Sequence, residues 1–289
     1  MRDAALTNRS PWRQIIMGIK LFPAPSRVFS SFFALLLFLT LSGSFGFVQA
    51  ENSSLVIAVE DDAAPWSRAD GTGYANEVVV AAYKAVGVSV ELRIVPYARC
   101  KRMAIRGDVV ACFSTSPSAE LAKDLTLSAQ PLFSVQVGYF YNVNKPPQVL
   151  SQDKLSPQTI VGTVLGYEYP EDFEKLRKEG RLVAEDSKSE ELNLKKLAAG
   201  RLDLVLLTYN EMKRPEWLIE KAGVGSIVKT TFLAGVQHSY IAFSKNAQGR
   251  WALDQFNKGH QLIATNGTLQ RIREAWLEKL SREKLSASR

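Results

Sequence analysis

The chain has 289 residues, 46 % of them hydrophobic and 22 % charged, with 36 Lys and Arg against 29 Asp and Glu for a net charge of +7. That balance suits a globular protein with one large core or two moderate ones and excludes a disordered or collagenous chain. Five of the bases but only one acid precede residue 51, so the remaining 239 residues carry a net +3, which gives no electrostatic case for a nucleic-acid partner.

Residues 1–50 read as an export leader. Arg9, Arg13, Lys20 and Arg27 precede an apolar stretch over residues 28–41, then Gly and Ser, then Val48-Gln49-Ala50. A positive region, an apolar region and a small-residue cleavage site in that order predict cutting after Ala50 and a periplasmic protein. An uncleaved anchor over residues 28–48 is the alternative, weakened by the Ser and Gly within it. Met17 is an alternative start to Met1. The residue directly after the cleavage site is Glu51 and not a cysteine, so nothing supports a lipid anchor.

The first strand is expected over residues 54–59, ending in the acids Glu60, Asp61 and Asp62. Pro65-Trp66 and residues 70–73 form a turn-rich loop, in which the Gly-Thr-Gly lacks the spacing of a dinucleotide fingerprint. A helix over 76–85 closes at Gly87, and a second strand over 88–95 stops at Pro96, with Tyr97 and Arg99 just beyond. Cys100 and Cys112 both follow the leader. An even count in an oxidising compartment favours a disulfide between them, two buried free thiols being the alternative.

One pattern then occurs twice: a polar-faced helix stops at a glycine (Gly107, Gly200), an aspartate follows (Asp108, Asp203), and an apolar run begins, over residues 109–113 or 204–207. Each run suits a strand buried on both faces of a parallel sheet. Ligands of open α/β sheets lie beyond the carboxyl ends of the strands. Ser114, Thr115 and Ser116 after the first run, and Thr208, Tyr209 and Asn210 after the second, therefore become candidates for facing walls of one site. Asp108 and Asp203 read as structural turn residues.

Between the repeats, residues 131–142 form an extended stretch, 159–164 a strand that turns at Gly166-Tyr167, and 170–178 a charged helix. Leu182-Val183 is a short strand, and Ser187-Lys188-Ser189-Glu190 reads as a capping box. A helix near 211–221, a second extended stretch over 232–244 and helices over 250–264 and 268–280 complete the chain. A chain that leaves one lobe, builds another and returns must cross twice. The expected architecture is two α/β lobes joined by two strands, with residues 51–135 and 240–289 in lobe 1 and 136–239 in lobe 2.

In this order the pieces resemble the periplasmic solute-binding proteins of ABC importers, in the group that includes the polar amino-acid binders. The resemblance is carried by Glu60 with Pro65-Trp66, Gly73-Tyr74 leading into Asn76-Glu77, Pro96-Tyr97-Ala98-Arg99, Gly107-Asp108, Gly200-Arg201-Leu202-Asp203, and Asn266-Gly267-Thr268-Leu269 before Trp276. It implies the two-lobed periplasmic-binding-protein-like fold with two crossover hinge strands. It also implies that Glu60 holds an ammonium group, Tyr97 packs flat on the ligand, and Thr115 donates a hydroxyl. Backbone N–H groups of Gly166, Tyr167 and Glu168 would bind an anion, and Thr208 would read the ligand's far end. Trp66, Arg99, Ser114, Tyr167 and Tyr209 are further candidate contacts. Amino-acid binders of that group carry an arginine shortly after the Thr115 position, and residues 118–121 here hold none, so Arg99 is the candidate substitute.

The implied function is a monomeric periplasmic receptor, without cofactor, that holds a small polar solute, amino-acid-like or related, for the membrane permease of an ABC importer. A sensory partner of a membrane receptor and a cyclohexadienyl-dehydratase-like enzyme are the alternatives. The enzyme would need an acid/base pair, for which Glu60 with Glu168 or Glu77 are the candidates. His238 and His260 are the only histidines, too few and too far apart for a zinc cluster, and nothing orients a Ser-His-Asp triad.

Overall fold

The computed structural model describes residues 54–149 and 151–287, with side chains described to residue 284. The predicted leader and its cleavage site lie outside the described residues. Strand β1 (Leu55–Glu60) is followed by a small ribbon of β2 (Asp62–Ala63) and β3 (Ser67–Arg68). Helix α1 (Tyr74–Ala85) buries Ala75, Val78, Val79, Ala82 and Tyr83, the three-and-four spacing of one helix face. Strand β4 (Val90–Val95), α2 (Tyr97–Arg106), β5 (Ala111–Thr115), the single turn α3 (Leu121–Asp124) and β6 (Leu125–Leu127) complete the first passage. The long strand β7 (Phe133–Asn142) leads to β8 (Ile160–Val164), α4 (Glu171–Lys178), β9 (Val183–Ser187), α5 (Glu190–Ala198), β10 (Leu204–Tyr209) and α6 (Pro215–Lys221). Strand β11 (Val228–Ser244) returns to α7 (Ala247–Thr265) and α8 (Thr268–Ala287).

The strands form one path, β4-β1-β5-β11-β7-β10-β8-β9. Strands β4, β1 and β5 run parallel, as do β10, β8 and β9, while β5–β11, β11–β7 and β7–β10 are antiparallel. The two apolar runs therefore sit in mixed rather than all-parallel sheets. Each is flanked by one parallel neighbour and by one of the long strands that cross between lobes. The buried apolar residues follow the same division. Two clusters draw mainly on residues before Val137 and after Ala234, one of them also taking in Met212, and two others lie within residues 137–234.

The doubled sequence pattern has one physical cause. Gly107 and Gly200 both adopt positive φ, +77° and +70°. At each, the glycine N–H bonds the carbonyl three residues back and the next N–H bonds the carbonyl five back, Ala104 and Met103 in one copy and Leu197 and Lys196 in the other. This closure needs a left-handed residue that a side chain would strain.

Some elements differ from the sequence expectation. The first apolar run is strand only from Ala111, although Val110 already bonds both neighbours, its N–H donating to the Val56 carbonyl and its carbonyl accepting from the Ser244 N–H. The N-cap of α5 is Ser189, whose Oγ accepts from Leu192 N–H at 3.2 Å, whereas Ser187 ends β9 and donates to Asn193 at 2.7 Å. Glu190 is thus freed from a capping box. Helix α6 begins at Pro215 rather than near 211, since Asn210 Oδ1 accepts from the N–H groups of Met212 and Lys213 and holds that stretch as a turn.

Cys100 on α2 and Cys112 on β5 form a disulfide, with Cα atoms 5.5 Å apart. Tyr83 is fully buried and donates its hydroxyl to the Ala252 carbonyl at 3.0 Å, tying α1 to α7. Among the described residues no helix is long and apolar enough to cross a membrane, and no group of His, Cys, Asp and Glu could hold a metal ion.

Candidate functional site

Parallel strands end at the inner edges of both lobes, and the side chains beyond them meet. From lobe 1, β1 delivers Glu60, β5 delivers Ser114, and the first turn of α2 delivers Tyr97 with Lys101 one turn later on the same face. In lobe 2, the turn after β8, opened by Gly166 at φ +86°, presents Tyr167 and Glu168, and β10 presents Thr208. The Asn210 turn then places Lys213. The floor is the pair of hinge strands, whose rungs Phe133–Ser239 and Val135–Gln237 face upward, with Trp66 stacked on Phe133 at 4.0 Å and 8°. The space between these side chains is about 40 Å³.

The lobes are joined across this space by hydrogen bonds. Glu168 of lobe 2 accepts from Tyr97 Oη at 2.6 Å, Lys101 Nζ at 2.5 Å and the Ser116 N–H at 3.3 Å, all from lobe 1. Lys101 also donates to the Gly166 carbonyl and lies 4.8 Å from the Tyr97 ring centroid. Tyr167 donates to Glu60 Oε1 at 2.7 Å. Deeper in lobe 2, Lys213 pairs with Glu190 and donates to Thr208 Oγ1 at 2.7 Å, while Thr208 N–H and Oγ1 both donate to Glu190 Oε1. This ion pair is buried on both sides, so removing either partner would leave an uncompensated charge.

Burial pushes the Glu60 carboxyl up to about 8; the Tyr167 hydroxyl and Lys213 oppose the shift without cancelling it. Burial likewise drives the phenols of Tyr97 and Tyr167 well above their ordinary value, so both remain protonated donors. Ser114 Oγ is buried without a hydrogen-bond partner among the described residues.

The sequence-derived candidates divide accordingly. Glu60, Trp66, Tyr97, Ser114, Tyr167, Glu168 and Thr208 line the space together. Arg99 does not: two residues beyond Tyr97, it lies on another face of α2 and is exposed. Thr115 is fully buried and donates its hydroxyl to the Tyr240 carbonyl, because alternate residues of a strand point to opposite faces. Tyr209 is turned from Thr208 by the same alternation and packs edge-on to Phe140 at 6.0 Å. Gly166 lies outside the lining, against Ala98 of the opposite lobe, and offers Lys101 a carbonyl. Of the three N–H groups of the turn, that of Tyr167 is already bonded to the Val164 carbonyl. Glu77 is exposed on α1, away from the lining.

Lys213, Ser116, Gln237 and Ser239 also line the space, and Lys101 and Glu190 are bonded to its walls. Lys101 was recoverable from its four-residue spacing to Tyr97. Glu190 was concealed by the apparent capping box, and Lys213 by a turn whose geometry Asn210 sets.

No family profile and no curated protein matches the sequence. Solved structures do match in fold. An ancestral arginine-binding protein bound to arginine superimposes with a TM-score of 0.64 at 19 % identity, over 77 % of this chain and 97 % of that one. The fold is that of the periplasmic solute-binding proteins. A histidine kinase sensor domain with similarity to periplasmic binding proteins matches at 0.66 and 19 %, over 78 % and 96 % of the two chains. The ancestral amino acid-binding protein AncCDT-1, a precursor of cyclohexadienyl dehydratase, matches at 0.60 and 17 %, over 78 % and 95 %. The periplasmic-binding-protein fold thus accommodates binders, a sensor and the forerunner of an enzyme, and at these identities the likeness establishes architecture alone.

Proposed function

We propose that this chain is an exported receptor that closes two lobes on a small polar solute and presents it to the membrane permease of an ABC importer. The observation that carries the reading is the set of side chains from both lobes around one space, Glu60, Tyr97 and Ser114 facing Tyr167, Glu168 and Thr208. A solute touching both walls binds the closed form more tightly than the open one, and that difference drives closure. Residues 51–135 and 240–289 would move as one body and 136–239 as the other, with β7 and β11 as hinge. Export with cleavage after Ala50 places the receptor in the periplasm, and the mass of the secreted protein tests it.

The test of function is a melting-temperature screen of native, ligand-stripped protein against amino acids, amines and oligopeptides. A true solute at a hundredfold excess over Kd adds about 2.7 kcal/mol of stability. A panel without a single shift overturns the reading. The likeness to a kinase sensor domain favours a second version, in which the same closed form reports to a membrane receptor. Co-purification with a permease or with a sensor kinase separates the two.

An enzyme of the dehydratase kind finds less support. Glu168 is engaged by Tyr97 and Lys101 and Glu77 lies outside, which leaves Glu60 without either carboxylate as an acid/base partner. Turnover of a cyclohexadienyl substrate at high protein concentration would restore that reading.

A further inference from the structure

Two cavities adjoin in the cleft, and they differ in size and chemistry. The inner one, about 40 Å³, takes only a small end group, since a single water occupies roughly 10–15 Å³ of such space. Its carboxylates are unequally paired: among the described residues Lys101 pairs with Glu168 and Lys213 with Glu190, whereas Glu60 has no ion pair, accepts the Tyr167 hydroxyl and feels Lys213 only at a distance. The outer one, about 610 Å³, lies between α6 of one lobe and the loop after β1 with α8 of the other. That volume falls within the roughly 300–1,000 Å³ of small-molecule pockets. Pro65, Trp217, Leu218 and Leu280 give it apolar wall, and the acids and bases around it balance at five each. Tyr167 and Lys213 line both cavities, so two side chains form the wall between them.

Resting on the receptor reading, we propose that the solute is a two-part molecule: an ammonium end group, without an adjacent carboxylate, held at Glu60, and an uncharged aromatic or aliphatic body in the outer chamber. An ammonium replaces the Tyr167 hydroxyl on Glu60 and donates to the unpartnered Ser114 Oγ, a charge-assisted arrangement in a desolvated site. A carboxylate beside it would find both lysines already engaged. The body lies against the indole of Trp217, whose Nε1 is buried without a hydrogen-bond partner among the described residues. Free small amino acids fill neither compartment.

Calorimetric titration of the full mature protein with tryptamine, methylamine, indole, tryptophan and glycine tests this. Tryptamine is expected to bind at least about tenfold more tightly than methylamine, indole or tryptophan. Leu218→Trp and Glu220→Trp, which fill the outer chamber from two positions, are each expected to weaken tryptamine about tenfold while the unliganded melting temperature shows the variant folded. Methylamine or glycine binding as tightly as tryptamine, or tryptamine binding unchanged in a folded variant, overturns the outer-chamber assignment and leaves the receptor reading intact. Tryptophan binding more tightly than tryptamine overturns the carboxylate-free end group. No binding by any of the five overturns this proposal alone; the receptor reading falls only if the broad melting screen also shows no shift.

Discussion

Glu60 combines three properties that follow from where β1 ends: it is buried, it faces the opposite lobe, and among the described residues its one side-chain hydrogen-bond donor is a tyrosine hydroxyl. Burial raises its carboxyl to about 8 against an unfolded value of 4.5. Between those values the unfolded chain binds fewer protons than the closed one, so stability is complete below the unfolded value and is lost as pH rises toward the folded one. The melting temperature should therefore fall as pH goes from about 5 to about 8. Glu60→Gln should remove that share of the slope. Burial raises the carboxyls of Asp62 and Glu174 as well, so the comparison is made between native and variant at each pH. Calorimetric melts of both across the window check it; superimposable profiles would show that Glu60 is hydrated in solution.

Elements carry the next level of argument, because helix packing here depends on missing side chains. A Cβ at Gly259 of α7 would lie 1.9 Å from the Ala82 carbonyl of α1, an overlap that only separation of the two helices relieves. Gly259→Ala should cost about 1–3 kcal/mol, read as a lower urea midpoint. Replacing Cys100 and Cys112 together by Ala should cost about 3 kcal/mol in the chain-entropy account, since the bridge closes a separation of 12 residues. Glycines, apolar runs and their spacing made these elements legible in the sequence, and the two left-handed helix closures announced both lobes. The site was less so. Strand ends point to Ser114 and Thr208, whereas strand alternation turns Thr115 and Tyr209 elsewhere and helix phase turns Arg99 away. Glu185 and Asp186 masked most of β9, and Lys213 reaches the cleft only through a turn and a buried ion pair that local pattern does not encode.

At the scale of the whole molecule, one carboxylate gathers more bonds between the lobes than Tyr167–Glu60 or Lys101–Gly166 supplies. Glu168 gathers donors from Tyr97, Lys101 and Ser116, all on the other lobe, while the hinge side of its own backbone is fixed by Gln237 Nε2 on its carbonyl at 2.8 Å. On the receptor reading such a latch would set the closed population before any solute arrives, and a solute would gain only by its preference for that state. Glu168→Ala removes three cross-lobe bonds and touches neither core, so it should open the molecule without unfolding it. Spin labels at Lys123 and Lys178, exposed positions on opposite lobes, should report longer distances in the variant while far-ultraviolet circular dichroism stays unchanged. Solute binding should then weaken by the factor through which the closed population falls, because the ligand must supply the closure that Glu168 no longer does. Unchanged distances would place the closing energy in the hinge strands instead of the latch.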